Sequence, residues 1–253
     1  MQELLDLATE LCHESGRLIM RYFQQPLTVE RKADRSPVTV ADREAEALLR
    51  RRIESRFPDH QVLGEEGGLS GKPGSAFQWV IDPIDGTKSF IHGVPLFGTL
   101  IGLLEEGQPV LGAIHLPATG DLLLGARGLP TTLNGRTVRV SEVADLNRAT
   151  LLLTSPSAVF ELGHGEAFHR LRKRVELVRG WGDCYGHFMV ATGRAEIMID
   201  PIMNLWDIAA LKPCVEGAGG KLTDLEGQGG LGESVLSTNG LLHQQVLDLI
   251  GTG

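Results

Sequence analysis

Apolar side chains recur at helical spacing over residues 2–23, at Leu4, Leu7, Ala8, Leu11, Leu18, Ile19 and Phe23, and Pro26 lies just beyond to stop the helix. A second helix is predicted by ADREAEALLRRRIESRF at 41–57, with Asp42 at its start and Pro58 just past its end. The stretch between them, ERKADRSPVTVAD, is polar and turn-prone, which places Thr39 and Asp42 on a loop feeding a helix N-terminus. From Phe77 to Val140 the pattern changes to short apolar runs broken by Gly and Pro. QWVI, GTLIGLL, PVLGAIHL and DLLLGA read as strands, and Asn134-Gly135 is a tight-turn signal.

After about Val143 the chain alternates. Strand TLLLTS, helix EAFHRLRKR, strand VELVR, helix DCYGHFMVATG, strand AEIMID, helix NLWDIAALKPCVEGAG, strands GKLTDL and SVLST, and helix LLHQQVLDLI follow in turn. Such alternation predicts a layered α/β fold with helices on both faces of sheets. The pattern change divides the chain into a half at 1–140 and a half at 141–253. No repeat, low-complexity tract or linker separates them, so the two halves are expected to pack intimately.

Composition narrows the function classes. The 253 residues carry 32 acidic and 24 basic side chains, a net charge of −8, with 42% hydrophobic residues, the profile of a globular chain with a sizeable core. The acidic balance argues against nucleic acid as a partner. No apolar run approaches the roughly 20 residues that span a bilayer, and MQELLDLATE lacks the basic start and apolar run of a signal peptide. Three widely spaced cysteines, Cys12, Cys184 and Cys214, form no disulfide framework, and a reducing cytoplasm is expected.

The chemistry lies in the carboxylates. Trp79-Val80-Ile81-Asp82 is an apolar strand that ends on an acid, Pro83 blocks the ladder, and Asp85-Gly86-Thr87 follows. Two carboxylates at this spacing, with a carbonyl between them and free N–H groups after, suit a hard cation and a phosphate together. An Asx-type turn with solvated aspartates fits the same letters. Glu65 and Glu66 stand in a glycine-rich loop after Gln61-Val62-Leu63. Asp207 opens an otherwise apolar helix, where an acid is also a common cap. Asp200 ends another strand before a proline, repeating Ile81-Asp82-Pro83.

Rival motifs fail on spacing or context. A covalent-aspartate phosphatase needs D-x-D, and Asp82 and Asp85 are three apart. GQGGLG at 227–232 is followed by a strand pattern where a dinucleotide fold needs a helix, so it reads as a loop. Gly220-Lys221 is followed by Leu222, which excludes a P-loop. Cys184 and His187 are a tight Cys/His pair, too few ligands for zinc. The basic run Arg170, Arg172, Lys173 and Arg174 reads as a solvated helix face.

Taken together, VIDPIDGTKSF, the GEE upstream, LWDIAA downstream, SPVTVAD at 36–42 and VATGRAEIMIDP at 190–201 resemble the inositol monophosphatase-like family of Mg²⁺-dependent phosphatases over nearly the whole chain. SPVTVAD, Trp181-Gly182-Asp183-Cys184-Tyr185 and Asp200-Pro201 are most similar to its histidinol-phosphate phosphatases. The resemblance implies an αβαβα sandwich and two to three magnesium ions per site. Glu65, Asp82 and the Ile84 carbonyl would hold one ion, Asp82, Asp85 and Asp207 a second, and Glu65 a third through waters. Thr87, supported by Asp42, would orient the attacking water, with Glu65 also catalytic, and the Gly86 and Thr87 N–H groups would hold the phosphate. Asp85, Asp183, Asp200 and Asp207 would line the substrate site. A small phosphomonoester, a homodimer and inhibition by lithium are further implications.

Trp181-Gly182-Asp183 replaces the glycine-threonine-alanine stretch that lines the sugar pocket of inositol-specific members, and Asp200 stands where those carry Glu. Both differences favour a positively charged substrate, histidinol phosphate first, over inositol 1-phosphate or another sugar or nucleotide monophosphate. A noncatalytic divalent-cation or phosphate-binding protein is the alternative outside the enzymes. Thr87 and Asp42 tell the two apart, because a binder has no use for a water-orienting pair.

Overall fold

The computed structural model describes residues 1–251. The chain begins with α1 (Gln2–Ile19), the short antiparallel pair β1 (Glu30–Arg31) and β2 (Pro37–Val38), and α2 (Val40–Arg56). Strands β3 (Gln61–Gly64), β4 (Gly68–Gly71) and β5 (Phe77–Asp85) lead into α3 (Thr87–Ile91). A meander follows, of β6 (Gly98–Glu105), β7 (Gln108–Leu116), β8 (Asp121–Ala126), β9 (Leu129–Leu133) and β10 (Arg136–Thr137). The chain then passes through β11 (Thr150–Leu153), α4 (Pro156–Glu161), α5 (Gly165–Arg172), β12 (Leu177–Arg179), α6 (Asp183–Ala191) and β13 (Ile197–Asp200). It closes with α7 (Leu205–Gly217), β14 (Lys221–Thr223), β15 (Val235–Thr238) and α8 (His243–Gly251).

Eight strands form one sheet in the order β10-β9-β8-β7-β6-β5-β3-β4, and five form a second in the order β12-β11-β13-β15-β14. Five layers result. Leu7, Leu11 and Cys12 of α1 and Leu49 and Ile53 of α2 pack on one face of the larger sheet against Trp79, Ile81, Ile101 and Leu111. Between the sheets lie α6 and α7, whose Phe188, Val190, Ile208 and Leu211 share a core with Leu100, Ile114, Leu152 and Met198. On the outer face of the smaller sheet, Phe168, Leu171 and Val246 of α5 and α8 cover Leu151, Ile197 and Leu236. This is the αβαβα sandwich expected from the sequence.

Helix α7 is seated by glycines. Gly102, Gly112 and Gly125 stand side by side across β6, β7 and β8, paired in register. A methyl at Gly102 would lie 2.7 Å from the Ala209 Cβ, and methyls at Gly112 and Gly125 would strike the carbonyls of Ala210 and Pro213. The bare stripe therefore lets the α7 backbone approach the sheet directly, which fixes the start of α7 relative to the end of β5.

Several elements differ from the sequence pattern. Helix α1 ends at Ile19, short of Phe23: beyond it the N–H groups of Arg21 and Tyr22 bond to Leu18 and Ile19, three residues back, and Gln24 adopts a φ of 59°. Phe23 still packs on Phe90 and Phe97, so the apolar period outruns the helix. Thr39, not Asp42, is the N-cap of α2; Asp42 is the third helical residue, returning a bond to the Thr39 N–H in a capping box. The glycine-rich β4, the short α3 and α4, and the strands β9 and β10 at one end of the larger sheet carry too few apolar residues to stand out. Residues 227–232 are irregular, as expected of a loop.

Candidate active site

The larger sheet delivers Asp82 and Asp85 to its edge through a bulge. β5 pairs with β6 in register up to Asp82↔Leu100, slips, and resumes at Asp85↔Gly98. The Thr99 hydroxyl donates to the Pro83 carbonyl at 2.8 Å inside this bulge, which holds the loop open. Across from it, Asp207 lies in the first turn of α7 and accepts from the Asn204 N–H at 2.7 Å. One carboxylate oxygen each from Asp82, Asp85 and Asp207 lies within 4.8 Å of the others.

These acids are placed where charge is costly. Burial, followed by the charges of Glu65, Asp85 and Asp207, pushes the Asp82 carboxyl well above the usual carboxylate range. Asp85 is driven the same way by burial and then by Asp183 and Asp207. Burial foremost lifts Asp207 to about 6. A cluster that disfavours its own ionisation is one that gains from a cation, and an all-oxygen donor set suits a hard divalent ion. A side-chain cation already stands beside it: Lys32 Nζ lies 2.6 Å from Glu65 Oε1 and also pairs with Glu66. Burial works against that ammonium, but its bonds to Glu65 and Glu66 keep it charged well above the ordinary lysine range. Glu65 is therefore near the cluster but turned to Lys32, outside the three-acid group.

Thr87 begins α3 after Gly86, whose φ of 83° is one that a side chain would strain. The first N–H groups of α3 have no acceptor within the helix. The Thr87 hydroxyl donates to the Ile84 carbonyl at 2.9 Å, and its contact with Asp42 Oδ1 is longer, 3.5 Å. The pair expected from sequence is thus adjacent, with the shorter bond going to Ile84. Asp42 itself is held through its other oxygen by the Thr39 N–H and hydroxyl at 2.8 and 2.6 Å.

Asp183, at the start of α6, and Asp200, at the end of β13 in the smaller sheet, reach the same region. Asp183 takes a left-handed φ of 53°, a strained conformation for a residue with a side chain, and its N–H donates to Thr154 Oγ1 at 2.7 Å. Gly182 permits this, because a Cβ there would collide with the Thr154 backbone. Neither acid does the routine work that the sequence allows. Gly182 caps α6 without any side-chain bond, so Asp183 is no cap, and the Asp200 carboxylate bonds to His187 instead of closing the turn at Pro201. Burial, then Asp200, raises Asp183 to about 7.

Two adjoining cavities share Asp85 and Asp207 as walls. One of about 490 Å³ is lined by Lys32, Glu65, Asp82, Ile84, Gly86 and Thr87, and a smaller one of about 100 Å³ by Thr154, Asp183, Cys184, Asp200 and Met203. A cleft of about 550 Å³ elsewhere holds a single acid, Glu216, already 2.9 Å from Lys212. The adjoining pair is therefore the candidate site.

Comparison with known proteins agrees with this geometry. Residues 1–250 match the model of the inositol monophosphatase family. The chain belongs to that family. A histidinol-phosphatase from Chlorobaculum parvum is 44% identical over 98% of this chain and 97% of its own. Another, from Mycobacterium tuberculosis, is 39% identical over 98% of both chains. The solved structure of an inositol monophosphatase from Zymomonas mobilis superposes with a TM-score of 0.86 at 35% identity, covering 99% of this chain and 98% of that one. This chain is accordingly a phosphatase of the inositol monophosphatase family, a metal-dependent group, with the family's sandwich fold. Among the described residues no helix is long and apolar enough to cross a membrane.

Sequence reasoning missed Lys32, Asn204, Thr154 and the pairing of His187. Lys32 lies in a mixed-charge loop with no local signal. His187 was visible only beside Cys184, and its partners Asp200 and Ser237 are 13 and 50 residues away.

Proposed function

We propose that this chain hydrolyses L-histidinol phosphate to L-histidinol and inorganic phosphate, a step of histidine biosynthesis, with magnesium in the three-acid cluster. Asp82, Asp85 and Asp207 would hold the metal, and Glu65 and the Ile84 carbonyl would join them if Glu65 gave up Lys32. Bound magnesium stabilises charge on the transferring phosphoryl group and lowers the pKa of water. The chain's own groups do the remainder. The Gly86 and Thr87 N–H groups bind phosphate oxygens. Thr87, backed by Asp42, orients the attacking water for in-line approach, and Glu65 assists it.

The observation that carries the substrate is the pair Asp183 and Asp200 on the smaller cavity. Neither is needed for the metal cluster, and neither caps a helix nor closes a turn. Carboxylates that line this cavity, in excess of what the metal cluster needs, suit an ammonium or imidazolium, which they bind through charge-assisted hydrogen bonds. A neutral polyol would leave such an acid desolvated and unpaired, at a cost of about 1–3 kcal/mol, or roughly ten- to a hundredfold in specificity. Kinship with the histidinol-phosphatases supports the same reading. The test is kcat/KM for histidinol phosphate over inositol 1-phosphate in the parent and in Asp200→Asn. A ratio well above one that falls at least tenfold in the variant is expected. A parent that prefers inositol 1-phosphate, or a ratio unmoved by the substitution, overturns the proposal.

A further inference from the structure

Beneath Asp200 lies a buried hydrogen-bond chain that the metal cluster does not use. His187, on the inner face of α6, is fully enclosed. Its Nε2 lies 3.2 Å from Asp200 Oδ2 and its Nδ1 lies 2.8 Å from Ser237 Oγ. Ser237 is equally enclosed, on β15, opposite Met198 of β13, the strand that ends in Asp200. Three elements thus converge on one imidazole: the helix that carries it, the strand that carries the hydroxyl and the strand that carries the acid.

Donor and acceptor roles follow from the chemistry. An ionised carboxylate only accepts, so Nε2 must carry a proton. In the neutral ring Nδ1 is then the acceptor, and the Ser237 hydroxyl donates to it. The order Ser-His-Asp resembles a nucleophile triad but is reversed in purpose, because the serine is sealed in the core and the carboxylate is the member that lines a cavity. A neutral imidazole is suited to this position. It fixes one oxygen of Asp200, leaving the other for a ligand, and it does so without cancelling the negative charge, as a lysine or arginine partner would.

We propose that His187, locked by Ser237, is a positioning residue that holds the Asp200 carboxylate toward the small cavity as a charged acceptor for the cationic end of the leaving group. This rests on the reading of Asp200 given above. Contacts to a remote part of the substrate act alike in ground and transition states, so their loss raises KM more than it lowers kcat.

The experiment compares the parent with His187→Met, which keeps bulk but has no donor, His187→Gln, which keeps a neutral donor, and Ser237→Ala, a small change that frees Nδ1. Substrates are histidinol phosphate and glycerol 2-phosphate, each with saturating Mg²⁺. The ratio of kcat/KM between them should fall about tenfold or more in His187→Met, mostly through KM, and less in Ser237→Ala, with His187→Gln recovering most of the loss. Equal losses on both substrates would make the role purely structural and overturn the proposal. A second readout stands apart from substrate choice and needs no variant of the histidine: the ¹⁵N spectrum of labelled histidine in the parent and in Asp200→Asn. An Nε2-protonated ring whose signal moves in Asp200→Asn is expected. An Nδ1-protonated neutral ring, or one indifferent to Asp200, overturns the proposal even if histidinol phosphate is the substrate. If the parent does not favour histidinol phosphate, the substrate reading fails, while this spectrum still decides whether His187 holds Asp200.

Discussion

The glycine stripe under α7 couples stability to the site, and Gly102→Ala tests that coupling. The added methyl would stand 2.7 Å from the Ala209 Cβ and 2.8 Å from the Ala209 carbonyl carbon. Ordinary carbon–carbon contacts are about 3.5–4.0 Å, so α7 must retreat by about 1 Å. Neither neighbour is a flexible side-chain end, and Ala209 is only two residues after Asp207. Overpacking of this kind costs about 1–3 kcal/mol. For a chain of this size that is a fall in Tm of roughly 2–12 °C. An acid displaced by about 1 Å from its working position costs on the order of 10²-fold in rate. Thermal unfolding and phosphate release, measured on the same preparations well below Tm, separate the two effects. Gly230→Ala is the control, because nothing lies near the methyl it would add. The reasoning is refuted if Gly102→Ala matches the parent in both Tm and turnover, or loses no more than Gly230→Ala.

Two further outcomes follow from the same site. With burial as the main cause, Asp207 and Asp183 sit at about 6 and about 7, above the usual aspartate value of 3.8. Carboxyls raised in the folded state contribute stability that is present below about pH 4 and lost as pH rises through 6 to 7, and bound Mg²⁺ offsets that loss. The gain in Tm from Mg²⁺ over EDTA should therefore widen from pH 5 to pH 8, with Asp207 alone worth on the order of 1 kcal/mol over that span. His115 and His243, lowered to about 4 chiefly by burial, have the opposite slope, stabilising above 6.5 and less as pH falls, but they lie outside the site and cancel in the difference. A gain equal at the two pH values would contradict the assignment. Thr87→Ala should fold and bind Mg²⁺ as the parent does while its kcat drops roughly 10²-fold, since it removes only the orientation of water; calorimetry showing an equal loss of Mg²⁺ affinity would count against that role.

Much of this was legible in the sequence because the signals are local. Ile81-Asp82-Pro83 announces a strand ending on an acid, and the Gly86-Thr87 turn behind it is where α3 begins. Trp206-Asp207 reads as a helix start and is one. What the letters do not carry is depth and distance. Adjacent Glu65 and Glu66 look solvated, yet both bind Lys32 from 33 and 34 residues upstream. Asp42 looks like a cap, and its capping-box position is what frees one oxygen to face Thr87. Gly102, Gly112 and Gly125 look like interruptions of three strands. Only their register across the sheet turns them into the seat of α7. His187 is one histidine among eight until three elements close around it.

The central claim is that three clustered carboxylates, one buried and two half-buried, on two converging elements exist to hold a divalent cation that drives phosphate release. Phosphate release from histidinol phosphate, followed as Mg²⁺ is titrated into the metal-stripped protein and into Asp82→Asn, tests it most directly. Asp82 is the most enclosed of the three acids and feels the charges of Glu65, Asp85 and Asp207, so its neutralisation should be the most damaging single change. The account predicts no release in EDTA, saturable activation by Mg²⁺ in the parent, and a loss of about 10³-fold in Asp82→Asn that millimolar Mg²⁺ does not restore. Turnover in EDTA, or near-parental turnover by Asp82→Asn in millimolar Mg²⁺, would contradict it.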